Sequence, residues 1–292
     1  MEFVIYLALA LAGVCLGSFS GATVWRLRAQ QLQYDKEAKE PYDHKEYAHL
    51  KKLLGKKTLD DRSKCLHCGH ELKWYDLIPL VSWLSLKGKC RYCHHAIGRF
   101  EPIIELGVAL FFILSYAFWP GDLQTGLGIA HFVLWLIAGV VMAIMFAYDA
   151  KWFLLPDILS LALVVVGLGI VGVTAAETGD IAGTLLSAAG SVAVLSGLYA
   201  LLYAVSKGRW VGFGDVKLGI GLGLLLVDWK LAIVAVFLAN FIGCLIVIPL
   251  LSMKKLGRSS HIPFGPLLIA GTVLAFFLGT PIIDWYLGLI GI

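Results

Sequence analysis

Gly212-Phe213-Gly214-Asp215-Val216-Lys217 sets a carboxylate and an ammonium where a membrane helix has to begin. Only ten uncharged residues, 218–227, separate Lys217 from Asp228. At ~1.5 Å rise per residue they reach about half of a ~30 Å hydrocarbon core. A span here has to borrow residues from upstream, over roughly 210–229, which takes Asp215 below the interface. An acid at that depth, beside two glycines, is a functional candidate by default.

The remainder of the chain supplies the membrane setting. Of its 292 residues 59% are hydrophobic and 15% charged, and the mean hydropathy is +0.81. That composition lies far from an ordinary soluble domain. Uncharged runs at 3–25, 106–121, 123–148, 158–176, 181–206, 231–253 and 259–283 join the compromised segment at 210–229. The expectation is an all-α polytopic membrane protein of about eight transmembrane helices. It divides into a first transmembrane helix (1–25), a loop (26–101) and a seven-helix membrane core (102–292). The first run lacks a basic start and is followed by positive charge, so it reads as a retained span.

Charge sets the orientation. Sixteen of the 24 Lys and Arg lie between Arg26 and Arg99, and Lys151, Lys207, Arg209, Lys217, Lys254, Lys255 and Arg258 alternate to the same side. Only Lys230 falls opposite, so the positive-inside rule places the loop 26–101 in the cytoplasm and both termini outside. The net charge of +4 is thereby membrane topology, and no nucleic-acid footprint remains.

Within that loop, residues 26–64 read as a solvated, partly helical linker, because mixed charge without aliphatic clustering argues against a core. Cys65-x-x-Cys68 and Cys90-x-x-Cys93 follow, with 21 residues between the pairs. Such paired knuckles can offer four thiolates to one tetrahedral Zn²⁺, at near-zinc-ribbon spacing. Iron in an S₄ site is the minor alternative. Two disulfides are the other reading, disfavoured by a reducing cytoplasm. His67, His70, His94 and His95 are then surface residues. The segment 74–84 is aromatic and apolar enough to lie on the membrane surface or to pack on the helices.

Among the acids near helix ends, Glu105 stands about one turn into its span, where it either serves a site or complements the helix dipole. Asp149 terminates the third span, where an acid opposes the macrodipole, although Lys151 is near enough to neutralise it. Asp157 follows Pro156 as a helix start prefers, which assigns it to capping. Asp149 ends an inward-going span and Asp215 begins an outward-going one, so the two share one membrane depth. His131 belongs at the opposite face. His261, in the last loop, is the only other histidine near a span, and no nucleophile-elbow or zincin motif is present.

Two facing aspartates cannot both ionise cheaply, so they share a proton, one acting as base on a water and the other as acid. Gly212 and Gly214 clear space for an approaching substrate backbone. Lys217 either balances the charge of the site or snorkels to lipid. The same acids would serve equally in the ion path of a zinc-stapled transporter or channel.

The ordered set of motifs resembles the type IV prepilin leader peptidases, of the Gly-x-Gly-Asp aspartyl membrane protease family. The set is Gly17-Ser18-Phe19, the paired knuckles with Ile78-Pro79 between them, Pro102-x-x-Glu105, Asp149 through Leu155-Pro156-Asp157, Gly212 to Lys217, and Ile262-Pro263-Phe264-Gly265-Pro266. The resemblance implies that Asp149 and Asp215 are the catalytic pair and need no metal. It implies type IV prepilins or pseudopilins as substrates, cut at the cytoplasmic face of the inner membrane after a short basic leader. It also implies methylation of the new N-terminus from S-adenosylmethionine. Where the family continues Gly-Ser-Phe with Leu-Asn, this chain has Ser20-Gly21.

Overall fold

The computed structural model of the chain describes residues 2–54, 62–253 and 262–291. Lys254, Lys255, Arg258 and His261, which entered the charge and histidine arguments, lie outside the described residues. Among the described residues the regular elements are helical, and the extended pairing is limited to two isolated bridges. Seven helices are long and apolar enough to cross a membrane. The chain forms two compact units, Met1–Tyr116 and Ala117–Ile292.

The first unit is built on α1 (Glu2–Glu37) and α4 (Phe100–Ala117), with the short α2 (His44–Leu50) and α3 (Val81–Ser85) between them in sequence. A Cβ at Gly13 or Gly17 would lie 2.6 Å from the Cα of Ala109 or Glu105, so the two helices touch backbone to backbone. This is small-residue packing between membrane helices. Ser20, in the departing Ser20-Gly21 pair, is fully buried and turns its hydroxyl back to the Leu16 carbonyl at 2.8 Å.

The linker after residue 25 is helical, as expected in part, but it also forms a core. Trp25, Ala29 and Leu32 recur at helical spacing, so the extension of α1 carries one apolar stripe among its charges. Ala29 and Leu32 close on Leu50 of α2 (His44–Leu50), with Trp25, Tyr42, Tyr47 and Leu66 around them. Asp43 caps α2, accepting from the N–H groups of Lys45 and Glu46 at 2.8 and 3.0 Å. Arg28 pairs with Glu46 across this small core. The high charge of the segment masks a stripe of only a few residues, which is why composition alone misses it.

The second unit contains α5 (Gly126–Trp152), α6 (Asp157–Thr178), α7 (Ile181–Val192), α8 (Leu198–Ser206), α9 (Phe213–Leu226), α10 (Trp229–Ser252) and α11 (Gly265–Ile290). α7 and α8 make one span, interrupted by a π-helical turn at Ala193–Gly197. α10 packs along α11, with Gly271 against the backbone of Ala235 and Ala239. Trp135 of α5 stacks on Phe276 of α11, ring centroids 3.8 Å apart.

α9 does not borrow residues from upstream. It starts at Phe213, and its 14 residues make it the short eighth helix. Nine of them are buried, so neighbours and not lipid surround it. A Cβ at Gly219 would fall 2.7 Å from the Leu195 carbonyl oxygen, one at Gly223 2.8 Å from the Val192 Cα, and one at Gly221 2.9 Å from the Leu163 side chain. Glycines on both sides thus let α6 and α7 close around it. A helix enclosed by protein need not match the bilayer thickness, which resolves the length deficit in the sequence.

Candidate active site

Asp149 lies one turn inside α5, not at its end. The helix runs on to Trp152 and closes on Phe153 in the left-handed conformation (φ 56°), whose N–H reaches the Asp149 carbonyl at 2.9 Å. The Asp149 side chain is 5% exposed, and its Oδ2 accepts the backbone N–H of Gly265 at 3.1 Å. Asp215 stands in the first turn of α9, 9% exposed, with its own N–H bonded to the Gly212 carbonyl at 3.2 Å.

Leu155, in the connection from α5 to α6, joins the two acids' surroundings. It lies 3.2 Å from a Cβ placed on Gly214 and 3.5 Å from one placed on Gly265. Gly214 belongs to the helix turn bearing Asp215, and Gly265 holds Asp149. The carboxylates are near enough to interact electrostatically. Two buried acids from different helices thus stand on either side of Leu155, one beside Gly265 and one in the turn that holds Gly214.

Lys217 takes neither of its two expected roles alone. Its Nζ pairs with Asp157 at 2.7 Å and lies 5.1 Å from the centre of the Phe213 ring. Asp157 begins α6 after Pro156, as a first-turn acid should. His131 lies in the second turn of α5, and its Nδ1 is 3.6 Å from Glu177 Oε2. Glu105 makes its contacts in the first unit: 6% exposed, it accepts the Leu80 N–H at 2.8 Å with Ser18 beside it. Leu80 has φ 58°, a left-handed value costly for a branched residue, and that bond is what rewards it.

The four cysteines converge. The Sγ atoms of Cys65, Cys68, Cys90 and Cys93 all lie within 4.8 Å of one another, and all four are free thiols. Tetrahedral ligands at ~2.3 Å place sulfurs about 3.8 Å apart, and Cys65 and Cys93 stand at 4.0 Å. The knuckles are built alike. The N–H of Gly69 and that of His94 bond back to the carbonyls of Cys65 and Cys90 at 2.9 and 3.0 Å. Isolated bridges, Lys64 with Glu71 and Lys89 with Ala96, close each one. The donor set and spacing fit a metal ion.

Asp76, between the knuckles, is a local clasp. Its side chain, 4% exposed, takes the Arg91 guanidinium at 2.7 Å, the Tyr92 hydroxyl at 2.9 Å and the Lys73 N–H at 3.2 Å. Burial pushes its carboxyl up, and these donors outweigh that, leaving it below the usual aspartate value.

Fold and site together define a multi-pass helical membrane protein with a buried aspartate pair in one unit and a metal-competent thiol cluster in the other. Two family profiles match it, the bacterial peptidase A24 N-terminal domain over residues 11–119 and the type IV leader peptidase family over residues 136–248. A prepilin leader peptidase/N-methyltransferase of Aeromonas salmonicida is 31% identical, covering 96% of this chain and 93% of the relative. One of Pseudomonas aeruginosa is 29% identical with the same coverage. A type 4 prepilin-like proteins leader peptide-processing enzyme of Escherichia coli O78:H11 is 31% identical over 92% of each chain. No solved structure matches. The chain belongs to the type IV leader peptidase family, and the transporter reading finds no support among these relatives.

Several residues of the site escape sequence reasoning. Gly265 appears there only as part of a motif, and its bond to Asp149 joins positions 116 apart. Leu155 likewise appears only within a motif, and Tyr199, on α8, carries no chemical signal as a residue type. The π-helical turn before Tyr199 leaves no trace in hydropathy.

Proposed function

We propose that the protein is an inner-membrane aspartic endopeptidase that removes the short basic leader from type IV prepilins or pseudopilins at the cytoplasmic face. The observation that supports this is that Asp149 and Asp215 are both buried and that Leu155 lies close to Gly265, which bonds Asp149, and to Gly214, next to Asp215, within a chain whose relatives are named leader peptidases. One carboxylate takes a proton from a water whose oxygen bonds to the scissile carbonyl carbon, while the other hands its proton to the carbonyl oxygen. The resulting diol breaks at its C–N bond, the leaving amine receives a proton, and one proton again rests on the pair. Gly212 and Gly214 leave room for the substrate backbone, the N–H of Gly265 orients Asp149, and Lys217 with Asp157 joins the starts of α9 and α6.

Cys65, Cys68, Cys90 and Cys93 hold a zinc ion in this reading, which staples the two knuckles and takes no part in hydrolysis. Methylation of the new N-terminus from S-adenosylmethionine rests on the relatives' names. Glu105, already engaged by Leu80, is not assigned to the methyl donor, and no step of methyl transfer is assigned to a side chain. Asp149→Asn and Asp215→Asn are each expected to abolish leader removal from a co-expressed prepilin while the protein still accumulates in the membrane. Undiminished cleavage by either variant would sink the proposal.

A further inference from the structure

The π-helical turn Ala193–Gly197 lies against α9 beside Asp215. Ser196 donates its hydroxyl to the Val216 carbonyl at 2.9 Å, and the backbone of Leu195 and Ser196 closes on Gly219. π-turns inside α-helices recur at functional sites, because the extra residue re-aims the side chains that follow. Two tyrosines follow here, one turn apart on α8. Tyr203 sets its ring 5.4 Å from that of Phe213, at the start of α9. Tyr199 sets its ring 5.1 Å from that of Phe264, the residue before the Gly265 whose N–H holds Asp149. One face of α8 thus closes on the beginning of α9, which carries Asp215, and on the residue before Gly265, which holds Asp149.

Tyr199 is 3% exposed, and its hydroxyl has no hydrogen-bond partner among the described residues. The Asn240 side chain approaches the phenol without hydrogen-bonding geometry, its amide nitrogen donating to the Val236 carbonyl at 2.8 Å. The phenol also lies within electrostatic range of Asp215. A buried hydroxyl left unpaired is destabilising, and phenylalanine would fill the same space without that cost. A donor kept free beside an acid pair has a use once a peptide carbonyl enters the pocket.

We propose that the Tyr199 hydroxyl is the hydrogen-bond donor that meets the oxygen of the scissile carbonyl as it becomes tetrahedral between Asp149 and Asp215. The phenol keeps its proton throughout, and the proton added to that oxygen comes from the acid pair. This inference rests on the proposed peptidase reading.

The test is Tyr199→Phe in the purified full-length protein, beside Asp149→Asn and Asp215→Asn. The substrate is a prepilin, and the probe is a prepilin-derived peptide carrying a difluoroketone at the scissile position, whose hydrate mimics the tetrahedral species. Loss of one such donor costs about 10²–10³-fold in kcat. Tyr199→Phe is expected to show that loss with KM nearly unchanged, an unchanged or raised Tm, and a comparable weakening for the hydrated ketone. Full kcat in Tyr199→Phe beside inactive Asn variants would overturn this inference alone. A fall in kcat accompanied by a lowered Tm, with the ketone bound as tightly as before, would overturn it in favour of a structural role. Full cleavage by both Asn variants would overturn the peptidase reading, and this inference with it.

Discussion

Gly265 is where the holding of Asp149 is most exposed to a single methyl group. A Cβ there would stand 2.7 Å from Asp149 Oδ2, closer than real Cβ contacts come. Gly265→Ala is therefore expected to push the carboxylate off its N–H donor and lower kcat for leader removal by at least about tenfold, with folding retained in a melting assay. Unchanged kcat would show that the bond is not needed. Asp76 yields a second residue-scale outcome. Its folded carboxyl lies below the ordinary value of 3.8, so its contribution to loop stability is complete above about pH 4 and is lost as pH falls through the folded value. In Asp76→Asn that acid-linked loss disappears and the loop is weaker at neutral pH, which tryptophan fluorescence of the solubilised protein against pH would register. The acids of the pocket are legible in the sequence because charge inside an apolar run stands out. Gly265 and Leu155 stand only inside motifs and Tyr199 in none, since nothing local marks a contact made across 59 to 116 residues.

Among the elements, α9 departs most from what hydropathy expects. Sequence reasoning finds its deficit of length and stretches it upstream, whereas the helix stays short because protein encloses it. Its glycines are the reason, and they are testable as packing. Gly223→Val places a branched side chain against the Val192 backbone, where Cβ alone would approach to 2.8 Å. Overpacking of this kind costs about 1–3 kcal/mol, so the variant is expected to melt lower in detergent and to lose activity through displacement of Asp215. A variant as stable and active as the parent would contradict the enclosed-helix description. The charged extension of α1 teaches the converse lesson. Three residues at spacing four and three, Trp25, Ala29 and Leu32, suffice for a stripe, while the flanking lysines and acids dominate any average over the window.

At the scale of the molecule, helical class, the number of long spans and the thiol cluster all follow from apolar runs and Cys spacing. These are patterns local enough to survive without knowledge of packing. The zinc reading predicts about one zinc per chain in the purified protein, and full thiol titration with no metal would refute it. The charge bias predicts that a reporter fused to the C-terminus is active only outside the cytoplasm. The central claim is chemical, and mass spectrometry of a purified prepilin incubated with the purified protein tests it most directly. The predicted result is a pilin shortened by its whole leader with wild-type protein and an intact precursor with Asp149→Asn or Asp215→Asn. A shortened pilin in the presence of either variant, or an intact one with the wild type, would contradict it.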